Sequence, residues 1–226
     1  MAQNEEISPS KVAEIVLENV IDYCDNRYEG SDTSFDCFVD HNPDQFYEFI
    51  DLAPFQPELS EEELKAIGNP ETFWDEVKKE YEKLWKESLI HNIARFLLID
   101  LKELYETLAV NELHLRNSCR VKRLKAYEKV LNGFKDAIRR AIKERKPLTE
   151  LELLDWFKKM GEAVYGTKNN HYEKEVTYYL NYYDMLDDND KLEVLSILLN
   201  NYIGKLLNKI EQELSELEQD VLINNQ

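Results

Sequence analysis

The chain has 226 residues, 43% of them hydrophobic, and carries 46 acidic against 28 basic side chains, for a formal net charge of −18. This apolar content suffices for the core of one large domain or two small ones, and we expect a single helical domain over residues 1–226. A surface this acidic repels the phosphates of nucleic acids unless a local basic surface overrides it. No stretch has the roughly 18 uninterrupted apolar residues of a membrane span.

The cysteine pattern bears on the compartment. The three cysteines, Cys24, Cys37 and Cys119, form no Cys-x-x-Cys pair and leave an odd one out. Such a pattern speaks against a disulfide framework and against a cysteine zinc site. The first ten residues lack the basic and apolar regions of a secretory signal. We therefore expect a cytoplasmic protein with free thiols and with neither a metal site nor a cofactor.

Helix breakers are rare and unevenly placed. Only six Gly and six Pro occur, and five of the prolines precede residue 71. The remainder of the chain is therefore almost free of residues that end helices. This composition predicts an all-α fold, a multi-helix bundle with a long central helix and an irregular acidic N-terminal segment.

Local signals place the first elements. Ser8-Pro9 is typical of a helix start, and Gly30 of an end, which predicts a helix over about 9–29. Residues 31–59 mix Asp, Pro and aromatic residues, and we expect them to be irregular. Ser60, with Glu63 three residues later, predicts a short helix that begins with a capping box.

The main bundle is expected over residues 70–221. Glu71–Asn132 contains neither Gly nor Pro, but one helix of that length would extend about 93 Å, too long for a compact domain. We therefore predict two helices, about 70–111 and 118–146. The first carries a wide apolar arc, which is typical of a central helix.

Three more helices follow. Thr149 and Glu152 form a second capping box, for a helix that ends at Gly166. A tyrosine-rich helix reaches about Leu186, and a last helix then runs to about Val221. The last helix carries apolar residues at alternating 3 and 4 spacing, a heptad seam that is either buried in the bundle or shared between two copies. We favour a homodimer through this C-terminal helix. The seam consists of Ile203, Leu207, Ile210, Leu214 and Leu217.

The strongest asymmetry is in charge. Residues 1–66 hold 17 acidic and 3 basic residues, whereas residues 114–146 hold 3 acidic and 12 basic ones. A basic amphipathic helix of this kind can contact phosphates, anionic lipid or an acidic protein segment. It can also be neutralised by the acidic N-terminal region of its own chain, which is the simpler expectation. The candidate residues on its basic face are Lys122, Lys125, Lys129, Arg139, Arg140 and Lys143.

Two further groups are candidate sites. Tyrosines one helical turn apart form two adjacent stripes, which suit either an interface or the core. Glu87, His91 and Arg95 lie one turn apart on the polar face of the central helix, where they would form an acid–base and anion-binding trio if that face lined a cleft. The tyrosine cluster consists of Tyr178, Tyr179, Tyr182 and Tyr183.

These features favour a non-enzymatic helical interaction or assembly module that presents charged and tyrosine-rich faces to another protein or to its own copy. The first alternative is a nucleic-acid-associated accessory protein that uses the basic helix 118–146. It lacks the Gly-rich loops, zinc ligands and aromatic strands of common nucleic-acid modules. The second alternative, a helical enzyme or ligand-binding bundle, depends on the polar trio alone.

Overall fold

The fold is all-α, as the composition predicts. The computed structural model describes residues 7–28, 30–45, 52–111, 117–166 and 170–224, and every regular element among them is helical. No helix in this part of the chain is both long and apolar enough to cross a membrane. The residues group into two compact units, Met1–Leu89 and Ile90–Gln226. The single domain over 1–226 stays a prediction.

Unit 1 is built from short helices and the first part of one long helix. The first helix begins where sequence predicts, because the Ser8 side chain accepts a hydrogen bond from the Lys11 amide and Pro9 occupies the first turn. The capping box of Ser60 and Glu63 is also confirmed. The helices are α1 (Pro9–Arg27), α2 (Ser31–Asp40), α3 (Glu61–Ala66) and α4 (Pro70–Glu106), the last of which continues into unit 2.

The segment predicted as irregular contains a helix. Ten of its residues form α2, which has no side-chain cap at Gly30 and so gives no local start signal. The helix is stabilised by packing, since Phe38 is buried and its ring stacks on Trp85 with centroids 5.7 Å apart. Short 3₁₀ turns follow at Pro43–Gln45 and Ala53–Phe55. Residues 46–51 of this segment lie outside the described residues.

Unit 2 holds the end of α4 and five further helices. The two helices predicted over 70–111 and 118–146 are confirmed to within a few residues. The single last helix is interrupted by a π-helical turn at Leu198–Ile203. The further helices are α5 (Asn117–Glu144), α6 (Glu150–Tyr165), α7 (Asn170–Met185), α8 (Asp188–Ile197) and α9 (Gly204–Asn224).

Helix α5 is the centre of unit 2 and contacts α6, α8 and α9. Its buried side chains alternate at spacings of four and three along the whole helix, so they form one continuous stripe. Tyr127 lies within this stripe, and its hydroxyl donates to the Leu101 carbonyl of α4 at 2.6 Å. Full burial raises the pKa of this hydroxyl, which keeps it a neutral donor. The buried stripe is Arg120, Leu124, Tyr127, Leu131, Phe134, Ile138 and Ala141.

A charged residue begins this apolar stripe. The Arg120 side chain donates from Nε to the Leu108 carbonyl at 3.1 Å and from a terminal nitrogen to the Ala109 carbonyl at 2.7 Å. Both carbonyls lie in the π-helical turn Thr107–Asn111 at the end of α4, where intrahelical partners run out. The same terminal nitrogen lies 3.1 Å from Glu213 of α9. One buried guanidinium thus connects three helical segments.

The heptad seam of the last helix is buried within one chain. All five seam residues are at most 7% exposed, and α9 packs on α5. Residues of the seam are three or four positions apart, but the buried residues Leu198 and Ile203 are five positions apart, because the π-helical turn lies between them. This turn shifts the apolar stripe by about one residue. A homodimer through this seam is therefore not supported, because the apolar surface that it would share is already covered.

Introducing charge into the seam should unfold unit 2 rather than separate two copies. We expect Ile210→Asp with Leu214→Asp to destabilise the protein by several kcal/mol, because a buried carboxylate without a partner is costly. Gln212→Asp with Ser215→Asp adds the same charge on the exposed face of α9 and should change stability little. Thermal unfolding followed by circular dichroism, with light scattering, checks both pairs. An unchanged melting temperature with a halved mass for the first pair would contradict this account.

Candidate interaction surface

The basic face of α5 lies opposite its buried stripe. Successive residues of an α-helix are rotated by about 100° around the helix axis. On this scale the six candidate basic residues span an arc of about 100°. The centre of this arc lies about 165° from the centre of the buried stripe. Each of the six is exposed. Packing of one face of α5 on its neighbours therefore leaves the basic face at the surface, extending about 32 Å from Lys122 to Lys143 at 1.5 Å per residue.

Intramolecular ion pairs neutralise only part of this face. Lys125 lies 2.5 Å from Glu218 of α9, and Arg139 lies 3.6 Å from Asp136 one turn earlier. All four side chains are about half exposed or more, and exposed pairs of this kind contribute little to stability. The other four basic residues form no ion pair within the described part of the chain. They are Lys122, Lys129, Arg140 and Lys143.

The acidic N-terminal region belongs to unit 1 and the basic face to unit 2. Neutralisation of the basic face by that region therefore stays a prediction. Within unit 2, Asp136 on α5 and Glu218 on α9 pair with residues of the basic face. Helix α5 as a whole carries nine basic and three acidic side chains. The helix therefore keeps a net positive charge of its own.

An open cleft adjoins the C-terminal end of this face. It has a volume of about 360 Å³ and lies between the end of α5 and the first turns of α6. Its apolar part includes Trp156 and Leu148, and its basic part includes Arg140, which belongs to both the cleft and the basic face. The charged side chains that line it are Arg140, Lys146 and Lys159, with Glu144, Glu152 and Asp155.

Two of the three acidic side chains in the cleft already have partners. Glu152 accepts a hydrogen bond from the Thr149 amide at 2.8 Å in the capping box. Asp155 pairs at 2.5 Å with Lys159, whose ammonium lies 4.9 Å from the centre of the Trp156 ring. The hydrogen bond does not remove the charge of Glu152, so the three basic and three acidic side chains of the cleft balance one another.

Trp156 lies directly over α5. A Cβ atom added to Gly133 would lie 3.1 Å from the edge of the indole ring, so the glycine permits the close approach. The ring also contacts Phe134, with centroids 5.9 Å apart. Gly133, which the sequence suggests only as a tolerated helix residue, thus positions an aromatic wall of the cleft.

The tyrosine cluster divides into a core stripe and a half-buried stripe. Tyr179 is buried and stacks on Phe96 with centroids 4.2 Å apart. Tyr183 is also buried, and its hydroxyl donates to the Leu148 carbonyl at 2.8 Å. Tyr178 and Tyr182 are half-buried and contact each other edge to face, with centroids 5.5 Å apart. Among the four tyrosines, this second pair is the more exposed.

The polar trio of α4 lies at the surface of the protein. Glu87, His91 and Arg95 are all exposed. Exposure leaves their charges screened by water, which weakens the acid–base role that a cleft would support. The acid–base role of these residues stays a prediction.

Unit 1 contains a sulfur cluster that the cysteine pattern does not predict. Cys24 of α1 and Cys37 of α2 are buried and joined by a disulfide, and His41 follows one turn after Cys37. The expectation of free thiols is therefore wrong for this pair and holds for the exposed Cys119. Two features of the sequence could have indicated this cluster. Cys24 and Cys37 are 13 residues apart, and His41 follows Cys37 by four residues.

No family model, curated protein or solved structure matches this chain.

The position of Trp156 can be tested with two glycines. Gly204→Ala should stabilise the protein by about 0.5–1 kcal/mol, because alanine favours a helix and its Cβ meets nothing within 4 Å. Gly133→Ala should gain clearly less, because its Cβ presses on Trp156. Urea unfolding measures both changes. Equal stabilisation by the two substitutions would show that Trp156 does not lie against α5.

Proposed function

We infer that this chain is a non-enzymatic helical interaction module that binds an acidic segment of another protein through the basic face of α5. The observation that most supports this proposal is the exposure of all six basic residues in a chain of net charge −18. Retaining one strongly basic stripe on an otherwise acidic protein favours recognition of an acidic partner over general adhesion. A cytoplasmic location stays part of this proposal, and the Cys24–Cys37 disulfide is the observation against it, because disulfides are rare in reducing compartments.

The cleft gives this surface a place for an apolar anchor. Its walls include Trp156 and Leu148, and Arg140 lies at its junction with the basic face. Protein interfaces commonly combine a buried aromatic or aliphatic anchor with a charged surround. An acidic segment that carries one apolar side chain would therefore fit the chemistry of the cleft and the basic face together.

The half-buried pair Tyr178 and Tyr182 is a second candidate contact. A tyrosine offers apolar ring surface and a hydroxyl for hydrogen bonds, so this pair suits a protein partner better than a phosphate backbone. Self-association is kept as the alternative partner, through a surface other than the buried seam of α9.

A nucleic-acid-associated role is the second candidate function, because the same exposed lysines and arginines can contact phosphates. One consideration favours a protein partner. The cleft offers an apolar wall beside its charges, which phosphate contacts do not need.

Charge reversal tests the proposed surface. Lys125→Glu with Lys129→Glu should weaken binding of a labelled poly-glutamate peptide by about tenfold or more, because close opposite charges are replaced by like charges. Lys79→Glu with Lys83→Glu is the matched control: two exposed lysines four residues apart on α4, with the same charge change. Fluorescence anisotropy of the intact chain at two salt concentrations measures both variants.

A labelled single-stranded RNA of equal charge provides the second arm. The interaction module is supported if the wild-type chain binds the peptide more tightly than the RNA, and if the α5 double variant loses this binding while the α4 double variant keeps it. Tighter binding of the RNA with the same variant pattern would favour the nucleic-acid alternative. Binding that neither variant changes would contradict the assignment to the basic face.

A further inference from the structure

The sulfur cluster of unit 1 combines three side chains that bind soft divalent metals. One donor atom from each of Cys24, Cys37 and His41 lies within 4.8 Å of the other two. Cys37 Sγ and His41 Nδ1 are 3.9 Å apart. In a tetrahedral zinc site, Zn–S and Zn–N bonds of about 2.3 and 2.0–2.1 Å place neighbouring donors about 3.5–3.8 Å apart. The sulfur–nitrogen separation is thus already close to that of a metal site.

His41 is held in place by several contacts of its own. Its Nδ1 lies 2.7 Å from the Cys37 carbonyl, and its own carbonyl accepts a hydrogen bond from the Tyr81 hydroxyl at 2.7 Å. Edge-to-face contacts with Tyr23 and Phe55 fix the plane of the ring. When Nδ1 binds a metal, it gives up its contact with the Cys37 carbonyl, and the ring proton then resides on Nε2. The ring contacts keep the imidazole beside the two sulfurs before any metal arrives.

The sulfurs can serve as ligands only when the disulfide is open. A phosphine reductant supplies two electrons, the sulfur–sulfur bond breaks, and water provides two protons to the thiols and one oxygen to the phosphine oxide. Zn²⁺ then binds the two sulfurs as thiolates, and both thiol protons pass to solvent. The Cα atoms of the two cysteines are 5.7 Å apart, and rotation about their Cα–Cβ bonds moves the sulfurs apart.

We propose that Cys24, Cys37 and His41 form a redox-gated site for a thiophilic divalent cation such as Zn²⁺. In the oxidised protein the disulfide joins α1 to α2. In the reduced protein the cation joins the same two helices through two thiolates and one imidazole, with water at the fourth position. Unit 1 thereby keeps a link between α1 and α2 in both oxidising and reducing surroundings.

Cobalt is the probe for this site, because Co²⁺ bound by thiolates gives charge-transfer bands that other ligands do not. The full-length chain is titrated with Co²⁺ after reduction by a phosphine and, in parallel, in the oxidised form. We expect one Co²⁺ per reduced chain with thiolate bands, displacement by Zn²⁺, and no such bands in the oxidised chain. Reduced protein without these bands, or oxidised protein with them, would overturn the proposal.

Two substitutions assign the ligands. His41→Ala should weaken Co²⁺ binding by about 100-fold or more, because loss of even an outer-shell partner costs about 10–100-fold. Cys119→Ser removes the exposed third cysteine and should leave binding unchanged. Loss of the bands in Cys119→Ser, or full affinity in His41→Ala, would contradict the assignment.

A second readout does not depend on the folding of any variant. Zn²⁺ should raise the melting temperature of the reduced wild-type chain, and a chelator should reverse the rise, because a metal that binds only the folded state stabilises it. The oxidised chain should not respond. An equal response of the two forms would overturn the redox gating.

Discussion

The buried guanidinium of Arg120 is the interaction on which the architecture of unit 2 depends. It donates to two carbonyls at the end of the long helix and pairs with Glu213 of α9. Removing a guanidinium from water is costly, and the cost is recovered only when all its partners are in place. Arg120 therefore favours one arrangement of these segments over others that would bury the same apolar surface.

This arrangement decides which face of α5 is available for binding. With Arg120 at the head of the stripe and Leu124 through Ala141 packed on neighbouring helices, the lysines and arginines on the opposite side are left at the surface. The buried stripe and the exposed basic face lie on opposite sides of one amphipathic helix, and Asn132 and Asp136 divide the basic residues into two groups. The proposed function thus follows from how α5 is packed, and needs no separate binding domain.

Most of the helix starts could be predicted because their signals are local. Ser8-Pro9 and the capping boxes at Ser60 and Thr149 each involve residues within three positions of one another. Helix α2 has no such cap and depends on Trp85, which lies 47 residues beyond Phe38. The π-helical turn before α9 adds a single residue to the spacing of the apolar residues. A change this small cannot be recognised in the apolar pattern of the sequence.

The candidate site was only partly predictable, for the same reason. The composition of residues 114–146 reveals the basic face, but the cleft depends on Gly133 and Trp156, which tertiary packing brings together. The Cys24–Cys37 pair was missed because a cysteine count says nothing about distance, and α1 and α2 must first pack side by side. Tyr179 and Tyr183 proved to be core residues because α4 and the start of α6 supply partners for them.

The most direct test of the central role of Arg120 is the free energy of unfolding of Arg120→Ala, measured by urea denaturation beside Lys122→Ala. Loss of the guanidinium leaves two carbonyls and the Glu213 carboxylate without their donor, so we expect a cost of about 3–5 kcal/mol. Lys122 is exposed, and its replacement should change stability by less than about 0.5 kcal/mol. Equal stabilities of the two variants would contradict the account.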